Sequence, residues 1–186
     1  MRLFVALQIS DEVREAIARL VGELKPLDNS WKWTRPENLH VTLKFLGETP
    51  ESKLENIVGS LNAVPADLPI TLNFRGLGFF PNGKRPRVFW AGMETSPNLA
   101  PLSAEIDTRL KKQGIPVETR EFAPHLTLAR FDPPGISDGL SEIAQQNVAR
   151  EFGAVRTGEF HLFESKTRPT GAEYTRLSSF SFAPED

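Results

Sequence analysis

Two spacings of apolar residues alternate along the chain, and together they predict a protein that mixes helices with strands. Apolar residues three and four positions apart predict helices at residues 11–24, 50–61, 97–113 and 140–148. Alternating or short continuous apolar runs predict strands at residues 2–8, 38–47, 68–80, 87–93, 124–131, 159–166 and 172–182. Residues 31–34, WKWT, are a candidate for a further short strand.

Local signals support several of these element boundaries. Ser10 stands where a helix N-cap is expected, and two acidic residues follow it in the first turn. Gly114 suits the C-cap of the third helix. Residues 81–86, PNGKRP, contain the Asn-Gly pair of a tight hairpin turn. The resulting order, β-α-β-α-β-β-α-β-α-β-β, favours an α+β fold over a doubly wound sheet.

Two of the predicted strands carry the same tetrapeptide pattern. One reads His-Val-Thr-Leu from His40 and the other reads His-Leu-Thr-Leu from His125. Because side chains alternate across a strand, each histidine shares one face with its threonine, Thr42 or Thr127. A lone strand histidine is usually exposed or hydrogen-bonded, and His161, which lacks such a threonine, is interpreted in that way. Two of the three histidines in the chain belong to such a pattern, which indicates that the two patterns serve the same function.

Two such strands facing one cleft would bring two imidazoles and two hydroxyls together. Histidine exists in either protonation state near neutral pH, so one ring can act as general base while the other acts as general acid. Hydrolysis of a phosphodiester needs that division of labour, and threonine hydroxyls can donate hydrogen bonds to the non-bridging oxygens. A strained cyclic phosphate has an activated leaving group and needs no metal ion.

A basic residue near the second motif could also bind the phosphate. The guanidinium of Arg130 has planar donors suited to that anion. Arg130 lies five residues after His125, on the opposite face of a regular strand, so it reaches the cleft only if the strand ends or bulges after Leu128. Otherwise it is a solvated residue at the strand end. Lys44 has the same parity as His40 and Thr42.

Composition and charge exclude several classes of protein. The 186 residues carry a net charge of −2, which argues against a protein that coats long nucleic acid by charge alone. The chain has no cysteine, so disulfides, thiol nucleophiles and thiolate metal sites are excluded. No stretch approaches the roughly 20 apolar residues of a membrane span. We expect a soluble, cytoplasmic protein without a membrane partner.

The two His-x-Thr-x motifs resemble those of the two-histidine phosphoesterase superfamily. Within it, the chain is similar to the RNA 2',3'-cyclic phosphodiesterases, once called 2'-5' RNA ligases. Segments in the style and order of that family cover nearly the whole chain: MRLFVAL, LHVTLKFLGE, RPRVFWAG, FAPHLTLAR and LFESKTRPTGAEYTRL. The resemblance implies one bilobal α+β domain over residues 1–186, with two related lobes, a histidine strand in each, and the active-site cleft between them.

The resemblance also implies an activity and residue roles. The enzyme would open the 2',3'-cyclic phosphate of an RNA end or a nucleotide to a 2'-phosphate, as a monomer and without metal or other cofactor. His40 would be the proton donor and His125 the proton acceptor, with Thr42, Thr127 and Arg130 on the phosphate. The family's second name adds reverse 2'-5' ligation as an open question, and the pseudo-symmetry of the site leaves the two histidine roles interchangeable.

Three alternatives stand beside this hypothesis. A metal-dependent hydrolase could use His40 and His125 as ligands, but neither has a carboxylate or cysteine at a ligand spacing beside it. A non-catalytic module could bind RNA ends on the same fold. The substrate could also be another cyclic phosphate, such as a cyclic ADP-ribose phosphate. Several aromatic residues could stack on a base, and the sequence singles out none of them.

Overall fold

The computed structural model describes residues 1–27, 31–65, 69–81, 85–132, 138–169 and 171–182. Its helices are α1 (Asp11–Leu24), α2 (Leu54–Asn62), α3 (Leu99–Lys111) and α4 (Asp138–Gln146). Its strands are β1 (Arg2–Gln8), β2 (Lys32–Trp33), β3 (His40–Glu48), β4 (Ile70–Phe80), β5 (Val88–Thr95), β6 (Leu126–Arg130), β7 (Glu151–Thr157), β8 (Glu159–Arg168) and β9 (Gly171–Ser181). Short 3-10 turns cover Lys25–Leu27, Pro36–Asn38 and Glu51–Lys53.

The strands form one antiparallel sheet with two halves. Its order is β7-β4-β5-β6-β3-β1-β8-β9, and β2 pairs with β6. We call β3, β1, β8 and β9, with α2 and α3, the first lobe, since α3 packs on β3 and α2 packs on α3 and β9. The second lobe contains β6, β5, β4 and β7, with α1 against β7 and α4 against β4. The predicted α+β, two-lobed fold is confirmed.

The chain crosses between the lobes repeatedly. Helix α1 follows β1 of the first lobe but packs on the second, and α3 follows β5 of the second lobe but packs on the first. One continuous apolar core therefore runs beneath both lobes, on the helix side of the sheet. A separate small cluster of Phe4, Ala6 and Phe163, with Tyr174 against it, lies apart from that core in the first lobe. None of the described helices is long and apolar enough to cross a membrane.

Most predicted boundaries agree with the structure. The hydroxyl of Ser10 accepts a hydrogen bond from the Val13 amide at 3.3 Å, as an N-cap does. Gly114 follows α3 with a φ of 76°, the left-handed conformation that suits glycine after a helix. Helix α2 begins at Leu54, later than predicted, because a 3-10 turn occupies the preceding three residues. The Asn-Gly part of the predicted hairpin turn, residues 82–84, lies outside the described residues.

Strand β7 was not predicted from the sequence. Its buried residues Phe152 and Val155 are three positions apart, which is not the alternation of a regular strand. Gly153, with a φ of 109°, and a shift in the ladder between Phe74 and Arg75 account for that spacing. A single irregular residue is enough to change which side chains face the core.

Candidate active site

The two histidine strands are neighbours in the middle of the sheet. Strands β3 and β6 pair antiparallel, with Val41 opposite Leu126, and both of these side chains are fully buried in the core. The antiparallel register extended by one residue sets His40 beside Thr127 and Thr42 beside His125. These four half-buried side chains share the face opposite the core, which we call the cleft face. The structure thus brings both sequence motifs to one place.

Each histidine ring is held by a carbonyl two residues before it. Nδ1 of His40 lies 2.7 Å from the Asn38 carbonyl oxygen, and Nδ1 of His125 lies 2.8 Å from that of Ala123. A carbonyl can only accept, so each Nδ1 carries the hydrogen. Within the described part of the chain no group is hydrogen-bonded to either Nε2. Each Nε2 is therefore a free acceptor when the ring is neutral and a free donor when it is protonated.

Aromatic rings pack against both histidines. The centroid of the His40 ring lies 4.7 Å from that of Phe4 and 5.3 Å from that of Tyr174. The His125 ring lies 5.0 Å from Phe80, in an edge-on arrangement. These contacts restrict the orientation of the imidazoles and remove water from part of their surface.

Burial lowers the pKa of both histidines below 6.5. The hydrogen bonds to the Asn38 and Ala123 carbonyls raise the pKa of each ring in part, while the charge of Arg130 lowers both. The charge of His125 further lowers the pKa of His40. The two rings therefore oppose double protonation, and the singly protonated pair is favoured over the doubly charged one.

A bulge turns Arg130 towards the cleft. The ladder between β5 and β6 shifts by one residue between Phe89 and Trp90, so Leu128 and Ala129 both face the core and are fully buried. Arg130 is exposed on the other side. Its charge also lowers the pKa of Tyr174, so the guanidinium lies within electrostatic reach of residues on both lobes. The strand thus contains the irregularity that the sequence required for Arg130 to reach the site.

A matching bulge removes Lys44 from the cleft. The ladder between β1 and β3 shifts between Val5 and Ala6, so Lys44 faces the helices together with its buried neighbour. Its ammonium forms an ion pair with Asp107 and donates a hydrogen bond to the Pro116 carbonyl at 2.6 Å. Simple alternation placed Lys44 on the wrong face, because it does not register the bulge.

Phe45 and Arg130 are equivalent positions in the two lobes. Each lies five residues after a histidine and follows a bulge. Regular alternation along the strand predicts Lys44 on the cleft face of the first lobe, but Phe45 lies there instead. Phe45 is 56% exposed.

His161 does not join the four motif residues. Its Nδ1 lies 2.9 Å from the Ser179 hydroxyl, and its Nε2 lies 3.7 Å from a carboxylate oxygen of Glu159. The ring is buried, and this burial lowers its pKa. Of the two interpretations given for His161, the hydrogen-bonded one agrees with the structure.

The cleft face offers groups that bind anions or move protons. Among the residues that the structure describes, no three His, Cys, Asp or Glu side chains are grouped as metal ligands would be. Imidazoles, hydroxyls and a guanidinium are instead suited to a phosphate ester.

A pocket adjoins His40 on the first lobe and has a volume of about 240 Å³. Sequence reasoning did not find it, although Tyr174 is one of the aromatic residues able to stack on a base. Its lining comes from distant parts of the chain: Phe4, Gln8, Arg14, Glu37, Asn38, Leu39, His40, Phe163, Tyr174 and Arg176. The segment LFESKTRPTGAEYTRL, which carries three of them, was the available signal.

The model of the LigT-like phosphoesterases matches residues 7–90 and 93–174 of this chain. This chain belongs to the LigT-like phosphoesterase family. The RNA 2',3'-cyclic phosphodiesterase of Methanothermobacter thermautotrophicus is 34% identical over 183 residues, which cover 97% of this chain and 98% of the relative. That of Archaeoglobus fulgidus is 35% identical over 180 residues, covering 97% and 99%.

Solved structures agree with this family assignment. The crystal structure of TT0787 from Thermus thermophilus aligns with a TM-score of 0.82 at 31% identity, covering 98% of both chains. That of E. coli LigT complexed with 3'-AMP aligns with a TM-score of 0.79 at 25% identity, again over 98% of both. The family resemblance drawn from the sequence is confirmed, and the chain is a phosphoesterase by family.

Proposed function

We propose that this LigT-like phosphoesterase hydrolyses the terminal 2',3'-cyclic phosphate of RNA, or of a nucleotide, to a 2'-phosphomonoester. It would do so as one bilobal domain spanning residues 1–186 and without a metal ion. The names of the curated relatives, which match the chain over nearly its full length, support the substrate class.

The paired orientation of the histidines carries the proposal. Both rings use Nδ1 to hold themselves in place and keep Nε2 available on the same face of the sheet. Their mutual repulsion supports a state with one neutral and one charged ring. General acid–base catalysis of a phosphodiester needs that single protonation state.

In the proposed step, water attacks phosphorus in line with the bond to the 3'-oxygen. His125 Nε2 takes a proton from the water as the new P–O bond forms. His40 Nε2–H gives its proton to the 3'-oxygen as the old P–O bond breaks, and exchange with solvent restores both rings. These roles follow the family pattern. The more open setting of His125 supports them, because the base must meet water, whereas the ring of His40 is the more enclosed.

The phosphate would be held by three side chains. Thr42 and Thr127 are half-buried on the cleft face and can donate their hydroxyl hydrogens to its non-bridging oxygens. Arg130 adds a positive charge that favours the extra negative charge of the transition state. Strain in the five-membered ring activates the leaving group, so the proposal needs no Lewis acid.

The test is turnover of a dinucleotide with a 2',3'-cyclic end, with and without a strong chelator. We expect equal rates in both conditions and a 2'-phosphate, identified against authentic 2'- and 3'-phosphate standards by phosphorus NMR. A predominant 3'-phosphate would mean that the acid faces the 2'-oxygen. Loss of activity in the chelator would favour a metal-dependent hydrolase, and binding without turnover would favour an RNA-end binding module.

A further inference from the structure

We propose that Asn38 is a positioning residue that fixes the ring of His40 for proton delivery to the leaving oxygen. This inference rests on the proposed function and adds a residue outside the two motifs. The backbone carbonyl of Asn38 accepts a hydrogen bond from Nδ1 of His40 at 2.7 Å. The side-chain amide of Asn38 donates a hydrogen bond to the Ala172 carbonyl, also at 2.7 Å. One residue therefore holds the ring and is itself held by strand β9.

The position of the Asn38 carbonyl depends on this side-chain contact. Asn38 is the last residue of a three-residue 3-10 turn, and its backbone amide donates to the Arg35 carbonyl at 2.9 Å. The next amide, that of Leu39, donates to the Pro36 carbonyl at 3.2 Å. Neither bond uses the Asn38 carbonyl, and so short a turn restrains its last peptide plane only weakly. The buried Asn38 amide supplies the missing restraint from a strand 134 residues further along the chain.

The same contact brings an aromatic ring to the side of the imidazole. Tyr174 follows Ala172 by two residues on β9, and its ring lies edge-on to that of His40 with centroids 5.3 Å apart. Phe4 packs against the imidazole at 4.7 Å. The turn that carries the carbonyl and the strand that carries Tyr174 are joined through the Asn38 amide. A single hydrogen bond thus sets two of the groups that orient His40.

The second lobe holds its histidine without such a clamp. Nδ1 of His125 donates to the Ala123 carbonyl at 2.8 Å, and alanine has no side-chain donor. Ala123 is exposed and lies in the irregular segment before β6. This difference agrees with the proposed roles of the two rings. An acid must deliver its proton to an oxygen that the bound substrate fixes in space, whereas a base takes a proton from a water molecule that can adjust to it.

A kinetic test separates positioning of the acid from a general loss of structure. It compares cyclic phosphates with oxygen or with sulfur at the 3'-position, because sulfur leaves as a thiolate and takes no proton from His40. Asn38→Leu removes the amide donor. We expect this variant to lower kcat on the oxygen substrate by up to about 10²-fold at nearly unchanged KM, as a misplaced reacting group does. On the sulfur substrate it should retain close to the rate of the unaltered protein.

Ser103→Ala is the matched control. The Ser103 hydroxyl donates to the Leu43 carbonyl at 2.9 Å, a buried contact that ties helix α3 to the strand of His40. Its loss removes a long-range hydrogen bond from side chain to backbone, and it should leave kcat on both substrates nearly unchanged. Asn38→Asp keeps the size of the side chain and lacks the amide donor. It should show the same difference between substrates as Asn38→Leu, and it takes the place of that variant if leucine prevents folding.

The ring of His40 can also be observed without any substrate. In protein labelled with the NMR-active nitrogen isotope in its three histidines, the ring signals report which nitrogen carries the hydrogen. We expect the neutral rings of His40 and His125 to carry it on Nδ1. Asn38→Leu should shift the His40 signals towards the mixture of tautomers of a free imidazole and leave those of His125 in place.

The outcomes distinguish this proposal from the proposed function. Equal losses of kcat on the two substrates, no loss on either, or unshifted His40 signals in Asn38→Leu would overturn the positioning role while leaving hydrolysis in place. Hydrolysis of neither substrate by the unaltered protein, together with shifted His40 signals in Asn38→Leu, would contradict the proposed function and keep Asn38 as the residue that fixes the ring.

Discussion

The two lobes present the same histidine and threonine pair from differently built surroundings. In the first lobe Thr42 lies beside Ala6, and Ala6 lies beside His161. In the second lobe Thr127 lies beside Trp90, and Trp90 lies beside Gly78. The order of small and large residues is reversed, and the Trp90 ring leaves no room for a β-carbon at Gly78.

A second row of residues, paired side by side across neighbouring strands, differs in charge between the two lobes. Phe45, Phe4 and Phe163 are neighbours across the first lobe. The equivalent row of the second lobe consists of Arg130, Val88 and Phe80. The shared parts hold two imidazoles in the same way, and the differing parts make one side aromatic and the other cationic. A symmetric frame can thus bind an asymmetric substrate in one orientation.

Removing either imidazole should produce the largest effect. We expect His40→Ala and His125→Ala each to lower kcat by about 10²–10⁴-fold, as loss of a general acid or base does. The control is His161→Gln, which alters a histidine outside the site and should retain turnover. Losses of only a few-fold in both alanine variants would contradict the two-histidine mechanism.

A cyclic substrate with sulfur in place of the 3'-oxygen sharpens the comparison between the histidines. A thiolate leaves without a proton, so His40→Ala should lose little activity on this substrate, whereas His125→Ala should lose as much as before. The reverse pattern would exchange the donor and acceptor roles.

The buried residues at the bulges of the two lobes should contribute differently to the free energy of unfolding. Lys44 is buried in an ion pair with Asp107, whereas the equivalent residue of the second lobe is the buried Ala129. We expect Lys44→Met to lower the free energy of unfolding by about 3 kcal/mol, because it leaves a largely buried carboxylate unpaired. Denaturant unfolding would measure this, and the double variant with Asp107→Leu should recover part of the loss. A double variant no more stable than Lys44→Met would contradict the ion-pair explanation.

Arg130 and Phe45 form a matched pair for testing the charge difference. We expect Arg130→Gln to lower kcat/KM about 10-fold through loss of a charge-assisted contact with phosphate. It should also move the pH profile to higher pH, because the positive charge of Arg130 lowers the pKa of both His40 and His125. Phe45→Leu carries no such charge and should leave the profile in place. An unmoved profile in Arg130→Gln would show that its charge does not act on the histidines.

The smallest expected effect concerns the pH at which activity is greatest, and it follows from burial of the two histidines. Burial disfavours the charged imidazole, so the pKa of His40 and that of His125 both lie below 6.5 in the free protein. The proposed mechanism requires one charged and one neutral ring, and that state is most populated between the two macroscopic pKa values. We expect kcat/KM to be bell-shaped with its maximum on the acidic side of 6.5. A profile that is flat between about pH 5 and 8, the range in which histidine titrates, would contradict the proposal.

The sequence predicted what regular periodicity and motif identity can predict. Helix α1 with its cap at Ser10 and the two histidine strands follow from local spacing. Backbone irregularities could not be predicted in this way. One extra residue in a strand moves every later side chain of that strand to the opposite face of the sheet. This is why Lys44 was placed on the wrong side, and why Arg130 could be placed only conditionally.

Contacts between segments that are distant in the chain could not be predicted from local sequence patterns either. The side chain of Asn38 donates a hydrogen bond to the Ala172 carbonyl at 2.7 Å, which joins the turn before His40 to the start of β9. This contact accompanies the approach of Tyr174 to the His40 ring, although the two residues lie near opposite ends of the chain. No local pattern in either segment indicates that the two meet.

The exchange of helices between lobes has a consequence for the ancestry and dissection of this molecule. A cut between β5 and α3 would divide each lobe evenly, since each takes two strands and one helix from either side of the cut. Neither fragment would contain a complete lobe, so the two should fold only when mixed. If a duplication created the repeated motif, the ancestral half-length peptide could have built such a lobe only by intertwining with a second copy of itself.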